Sequence, residues 1–421
     1  MQVTVGDLAA LVLAVGAALT ALKHKRRLPP RGLWVFGPLL VTLTISTLCA
    51  RDIGASLPGF VRVVEIFLLI PAAIMLTVRR RRDAAVVLGA VVLAGLLQAS
   101  VGIWQVLTGT GASFAGRNTR AVGTFGAVDI MAMANVVGYA LIIVIALALV
   151  CSGRRRVLLL SVAAVLVVAL MLALSRGSWL AVAAGIAMML VLRSPALALR
   201  VAVGTAAVAI VTLCGLGGHS SALAERAESI VASISTPDRS VGDRFGLWST
   251  AVTVWGDHPL VGVGPKGFPA HRDGYAPLDL SSASETQDPG NGYIRQPLLS
   301  PHSQYLLVLS EQGVLGLAGF LVLLGALAWR VIAVRRRTDP AWLISAGFMT
   351  TFLMSFLYGD LGGPSCVLAA IMLGLTGAAV LTSPADTGRP SGTHPPRFKR
   401  KGNPPRCAVA VGSSDQERRQ W

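Results

Sequence analysis

Acidic side chains are scarce in this chain. Its 421 residues hold 20 Asp and Glu against 37 Lys and Arg, a formal net charge of +17. No Asp-x-Asp or paired-aspartate pattern stands in the segments between its apolar runs, so no carboxylate-held metal is expected there and no metal or other cofactor is assigned. Cysteine is rare as well. Cys49, Cys151, Cys214, Cys366 and Cys407 show no CxxC and no Cys/His spacing, which argues against a disulfide framework or a zinc site. There is no Walker pattern, no internal repeat and no inverted-repeat hydropathy of the kind that marks many secondary transporters. The N-terminus lacks a cleavable signal pattern; its basic cluster follows the first apolar run, which reads as a retained span.

What the chain has in abundance is apolar surface. Hydrophobic residues make up 54% of it, and the mean hydropathy is +0.67. A water-soluble protein of this length cannot bury that much, so a polytopic membrane protein is expected. Apolar runs of about 16–25 residues, long enough to cross a bilayer as helices, recur near residues 7–22, 33–49, 60–78, 84–106, 126–150, 157–174, 178–192, 197–216, 312–334, 341–359 and 364–382. The expected fold class is all-α, a polytopic transmembrane helical bundle of about 11–12 spans with one large extracytoplasmic loop. It divides into N-terminal transmembrane helices (1–216), the large loop with amphipathic helices (217–301), C-terminal transmembrane helices (302–382) and a disordered basic cytoplasmic tail (383–421).

The positive charge would point to nucleic acid in a soluble protein. Here it falls in short segments between apolar runs and acts as an orientation signal and a contact for anionic lipid, so no nucleic-acid partner is expected. The clusters at Lys23–Arg31, Arg79–Arg82, Arg154–Arg156, Arg193–Arg200 and Arg335–Arg337 occupy every second loop. Those loops are expected in the cytoplasm, with the N-terminus outside and the C-terminus inside.

Arginines in the outer loops run against the inside rule, Arg117, Arg120 and Arg176 among them. Arg120 lies in Gly116-Arg117-Asn118-Thr119-Arg120, ahead of Gly123-Thr124-Phe125-Gly126. Arg176 sits in the tight turn Ser175-Arg176-Gly177-Ser178. Arg244 opens the stretch Arg244 to Trp255, where Phe245, Trp248, Val252 and Trp255 recur at helical spacing. That face suits a helix lying in the membrane interface; Leu223 to Ile234 is a second amphipathic candidate. A permanent, forked charge near the headgroup plane matches phosphate oxygens, and it matches a lipid headgroup equally well. The segment Asp257-His258-Pro259-Leu260-Val261-Gly262-Val263-Gly264-Pro265-Lys266-Gly267-Phe268 contains GxGxxG, but no strand–helix unit surrounds it, so it reads as a glycine-shaped turn and His258 as a structural residue. His302 lies in Pro301-His302-Ser303-Gln304-Tyr305-Leu306, directly before an apolar run. Gly313 and Gly316 follow, where a bend or close helix contact is expected. The residues alone leave His302 open between a polar interface histidine and a proton-transfer site at the membrane edge.

Taken together, Gly123-Thr124-Phe125-Gly126, Leu174-Ser175-Arg176-Gly177-Ser178-Trp179-Leu180, Arg244 with Trp248, His258-Pro259-Leu260-Val261-Gly262-Val263-Gly264 and Pro301-His302-Ser303-Gln304-Tyr305-Leu306 with Glu311-Gln312-Gly313 resemble the O-antigen ligase and polysaccharide polymerase family of bacterial membrane glycosyltransferases. The resemblance spans roughly residues 110–335. It implies a GT-C-like bundle in the bacterial cytoplasmic membrane with its active site facing outward. It implies transfer, with inversion and without a metal, of a glycan from an undecaprenyl-pyrophosphate carrier to an acceptor hydroxyl on a glycan or lipid. It further implies His302 as general base, and Arg176, Arg244 and, more loosely, Arg120 on the pyrophosphate. One departure is Ser303-Gln304, where many members have Asn after the histidine. A ligase, an exopolysaccharide or capsule polymerase and a protein-glycosylating enzyme all remain open. The competing classes are a transporter or flippase of polyprenyl-linked sugars and a non-enzymatic cell-wall assembly scaffold. Arg62 and Glu65, three apart within a span, read as a local ion pair rather than a proton relay.

Overall fold

Each apolar run becomes a helix in the computed structural model, which describes residues 5–114, 117–126, 129–215, 239–288, 292–334, 339–363 and 365–381. The helices are α1 (Val5–Lys23), α2 (Pro30–Leu48), α3 (Ile53–Thr77), α4 (Arg81–Thr108), α5 (Ile130–Val150), α6 (Gly153–Leu172), α7 (Arg176–Arg193), α8 (Pro195–Gly215), α9 (Arg239–Asp257), α10 (Phe268–Tyr275), α11 (Gln304–Val334), α12 (Pro340–Ser355) and α13 (Ser365–Leu381). Among the described residues, seven helices are long and apolar enough to cross a membrane, and α1, α8, α12 and α13 contribute shorter apolar stretches. The protein is thus an all-α polytopic membrane protein. The candidate helix 223–234, the basic cluster 335–337 and the tail 383–421 lie outside the described residues.

Local chemistry sets the helix ends. Asp129 accepts the Ala132 N–H at the start of α5 (3.1 Å), and Asp339 accepts that of Ala341 at the start of α12 (3.1 Å). Pro30 and Pro340 occupy first-turn positions, where a missing N–H is harmless. Within α3 a π-helical turn covers Glu65–Leu69, just ahead of Pro71, which has no N–H to give to the ladder.

Helices α2 and α11, α4 and α5, and α7 and α12 lie along one another. Small residues allow the closest approach: a Cβ on Gly347 of α12 would press on Met189 and Ile142. Beneath the loop that joins α12 to α13 runs an aromatic stack, with Phe352 and Phe356 rings 4.3 Å apart and Tyr305 5.9 Å from Phe356. Trp34, Leu93, Leu158 and Leu180 point outward, as a surface facing acyl chains requires.

The two ends of the bundle differ. At one end Arg26 donates to the Leu76 carbonyl (3.1 Å), Arg79 to that of Arg27 (3.2 Å), and Arg81 approaches Asp339 (3.9 Å). At the other end the long loops gather, and there the structure adds something the helical reading omitted. Strands β1 (Ala112–Phe114), β2 (Arg117–Arg120), β3 (Ala283–Asp288) and β4 (Gly292–Pro297) form an antiparallel sheet in the order β2-β1-β3-β4. Two hairpins far apart in sequence are joined through Ser113–Gln287 and Phe114–Thr286. Next to it, Leu247, Ala251, Phe268 and Leu298 make a small separate core under the 239–301 segment.

Helix α9 forms where its sequence predicts, and it buries a second face beside the Trp248 stripe. Leu247, Thr250, Ala251 and Val254 are the buried positions, and α9 packs on α11. Phe245 and Val252 of the Trp248 face stay exposed, with Phe245 edge-on to Trp248 (5.4 Å).

Helix α11 begins at Gln304, earlier than the apolar run, and breaks at Gly313 (φ 66°, ψ −168°), a region open essentially to glycine alone. The break orphans backbone groups inside a buried helix. Residues 259–264 satisfy them: Val263 and Gly264 N–H groups donate to the Ser310 and Glu311 carbonyls (3.2 and 2.8 Å), and Val314 and Leu315 donate to those of Pro259 and Leu260 (2.9 and 3.2 Å). Positive φ at Gly262, Gly264 and Lys266 turns the segment, as expected for a glycine-shaped loop. A side chain on Gly262 would strike the Glu311 backbone. His258 stacks edge-on with His271 (6.0 Å) and caps this turn through its backbone.

Candidate active site

The loop between α12 and α13, residues 356–364, is where the singled-out residues meet. It is longer than the sequence reading allowed, because α12 ends at Ser355 and not at 359. Two side chains beside His302 hold it in place. Gln304 donates its backbone N–H to the Phe356 and Gly359 carbonyls (3.0 Å each) and its side-chain oxygen accepts the Leu361 N–H (2.8 Å); the Ser303 hydroxyl donates to the Phe356 carbonyl (3.2 Å). Ser303-Gln304 thus does a structural task that helix propensity does not reveal.

That tether brings Asp360 to His302, with Oδ1 4.0 Å from Nδ1. Ser300 bridges the pair: its hydroxyl hydrogen-bonds the Asp360 carboxylate and accepts the His302 N–H (3.1 Å). His302 has φ 48°, left-handed backbone that is costly for a residue with a Cβ and frequent at functional sites. Its side chain is 39% exposed. Burial pushes the imidazole pKa down, the Asp360 carboxylate pulls it up, and the Arg244 guanidinium pushes it down again. The net effect is downward, which favours the neutral ring, the form that can accept a proton.

Arg244, in the first turns of α9, donates to the Tyr358 carbonyl of the same loop (3.0 Å). Burial lowers its pKa first, the charge of Arg176 lowers it further, and Asp360 opposes both. Arg176 stands at the first position of α7, capped by Ser175, with Gly177 packed on the Tyr358 ring. Two guanidiniums close enough to repel, one of them partly desolvated and the other at a helix N-terminus, favour an anion between them. Arg120, at the end of β2, donates to the Leu174 carbonyl (3.1 Å), and burial alone lowers its pKa. It reaches the segment that carries Arg176, but no contact ties it to His302.

Residues 161–321 match the family model described as O-antigen ligase. Over this stretch the chain is similar to the O-antigen ligase family. No curated protein matches the chain. The matched residues include Arg176, Arg244 and His302, while Arg120 and Asp360 lie outside them: Asp360 stands beside His302, and Arg120 reaches the Leu174 carbonyl two residues before Arg176.

Two carboxylates of the ligase site escaped sequence reasoning. Asp360 is the one acidic residue between Pro340 and Leu381, in Gly359-Asp360-Leu361-Gly362-Gly363, and that isolation was its signal. Asp129 caps α5 and rests against Gly363. Burial raises its carboxyl to about 6, with the Ala132 bond opposing and the Asp360 charge adding, and its Oδ2 has no hydrogen-bond partner among the described residues. Arg62 pairs with Glu65 (2.9 Å), as the spacing predicts, and also donates to the Gly363 carbonyl (3.3 Å) and the Cys366 sulfur (2.9 Å).

Proposed function

We propose that the protein transfers or polymerises a glycan from an undecaprenyl-pyrophosphate carrier onto an acceptor hydroxyl at the outer face of the bacterial cytoplasmic membrane. The observation that carries this reading is that an imidazole backed by a carboxylate, Arg244 and the helix start that bears Arg176 all gather around one loop. His302 takes the acceptor hydroxyl proton, a contribution of ~10²–10⁴-fold. The acceptor oxygen attacks the anomeric carbon from the face opposite the diphosphate, the glycosidic C–O bond breaks, and its electron pair leaves with the lipid diphosphate, so the configuration inverts. Arg176 and Arg244 hold the charge that develops on the leaving oxygen, with Arg120 beside them. Asp360 fixes the imidazole and stabilises the imidazolium that forms.

The lipid has a place to lie. An apolar groove of about 330 Å³ runs between α4, α5 and α13, lined by Leu97, Phe125, Val136, Val367, Leu368 and Ile371. Basic residues at the opposite end of the bundle support an outward-facing site, an outside N-terminus and a cytoplasmic C-terminus.

The test is a His302→Ala variant in the native host, checked for normal membrane level. Loss of surface polymer with accumulation of lipid-linked glycan is expected. Unchanged product would refute the general-base role and return weight to a transporter or scaffold.

A further inference from the structure

The four-stranded sheet has two unlike faces. Ala112 and Thr286 on one face are buried, and Ile294 packs beside them against Val122. On the other face the register sets Thr119, Ser113, Gln287 and Tyr293 side by side across β2, β1, β3 and β4. A row across four strands is about 14 Å long. Beside it, Glu285 and Arg295 are paired. Gln287, Tyr293, Glu285 and Arg295 are exposed. Tyr293 is 62% exposed, and the nearby Glu285 carboxylate on the neighbouring strand raises the pKa of its hydroxyl. Arg295 is steadied by the Ser282 hydroxyl (2.8 Å).

An exposed aromatic ring flanked by amide, hydroxyl, carboxylate and guanidinium groups matches both things a pyranose presents: an apolar C–H face that stacks on the ring, and hydroxyls that bond the polar groups. The surface is too polar for acyl chains, and its Glu285–Arg295 pair leaves no strong net charge to draw an anionic lipid. It is also continuous with the site. Strand β2 ends on Arg120, and the chain leaving β4 reaches Ser300 and His302 within a few residues.

We propose that the outward face of this sheet, centred on Tyr293 and Gln287, is a binding platform for the saccharide chain that enters or leaves the active site. The ligand class is a neutral or weakly charged oligosaccharide, held weakly enough to slide. The inference rests on the glycan-transferase reading, which fixes why a saccharide should be found there.

The experiment uses the full chain in detergent, with oligosaccharides released by mild acid from the native host's own surface polysaccharide as the probe. Binding is followed by saturation-transfer NMR for wild type and for Tyr293→Ala, Gln287→Ala and His302→Ala, with thermal unfolding recorded for each. The expected result is a loss of binding of about fivefold or more in Tyr293→Ala, a smaller loss in Gln287→Ala, and none in His302→Ala, at unchanged unfolding midpoints. No binding to wild type, or equal binding to Tyr293→Ala, overturns the platform. A His302→Ala protein that still makes polymer overturns the transferase reading instead, so the two failures are told apart.

Discussion

A base that works near neutral pH must be unprotonated there, and the surroundings of His302 arrange this by opposing influences. Burial and Arg244 lower its pKa, and Asp360 raises it. The acid limb of the transfer rate should therefore fall below the ordinary histidine value of about 6.5. Removing the carboxylate in Asp360→Asn takes away the raising influence and should move the limb to still lower pH. Removing the charge in Arg244→Gln should move it to higher pH, while also lowering the plateau by about 10²-fold through the lost phosphate contact. Initial rates of the purified enzyme on lipid-linked glycan, taken across pH, measure both. A limb that stays put in both variants would mean that another group titrates.

At the scale of the element, the broken helix α11 is held by residues 259–264, and the arrangement depends on glycine at its tightest points. A Cβ on Gly313 would meet the Leu260 backbone and force a left-handed conformation that L-residues avoid. Gly313→Ala should cost about 3 kcal/mol, seen as a lower unfolding midpoint in detergent. Gly325, on the same helix with open space where its Cβ would stand, is the control: Gly325→Ala should show no loss. Equal midpoints for both variants would show that the 259–264 brace is not under tension. The brace ties the large loop to the helix that follows His302, so a lost brace should also loosen the active-site end.

For the whole molecule, the decisive property is which end faces out. Arg295 of the sheet and Arg154 in the first turn of α6 are both exposed and belong to opposite ends. In a Cys49→Ser background, which removes an exposed thiol near the site, Arg295→Cys should react with a membrane-impermeant maleimide in intact cells. Arg154→Cys should react only after permeabilisation. The reverse pattern would put His302 in the cytoplasm and exclude an outer-face donor.

Sequence by itself determined the spans, because a bilayer crossing demands an unbroken apolar run and nothing tertiary is needed to see one. It also gave the basic loops, the turn at 258–267 and the motif segments around Arg176, Arg244 and His302. What only the tertiary structure decided is what lies between distant segments. Asp360 was hidden at the end of an apolar run whose last residues are loop, drawn down by Ser303 and Gln304. The sheet was invisible because its strands are short, polar and separated by most of the chain. The face of α9 that packs on α11 was not visible in the sequence, because its apolar residues occupy two stripes and only the partner helix marks Leu247, Ala251 and Val254 as the buried one. Local sequence encodes what each segment can be; pairing, register and the approach of charges depend on contacts that no single stretch contains.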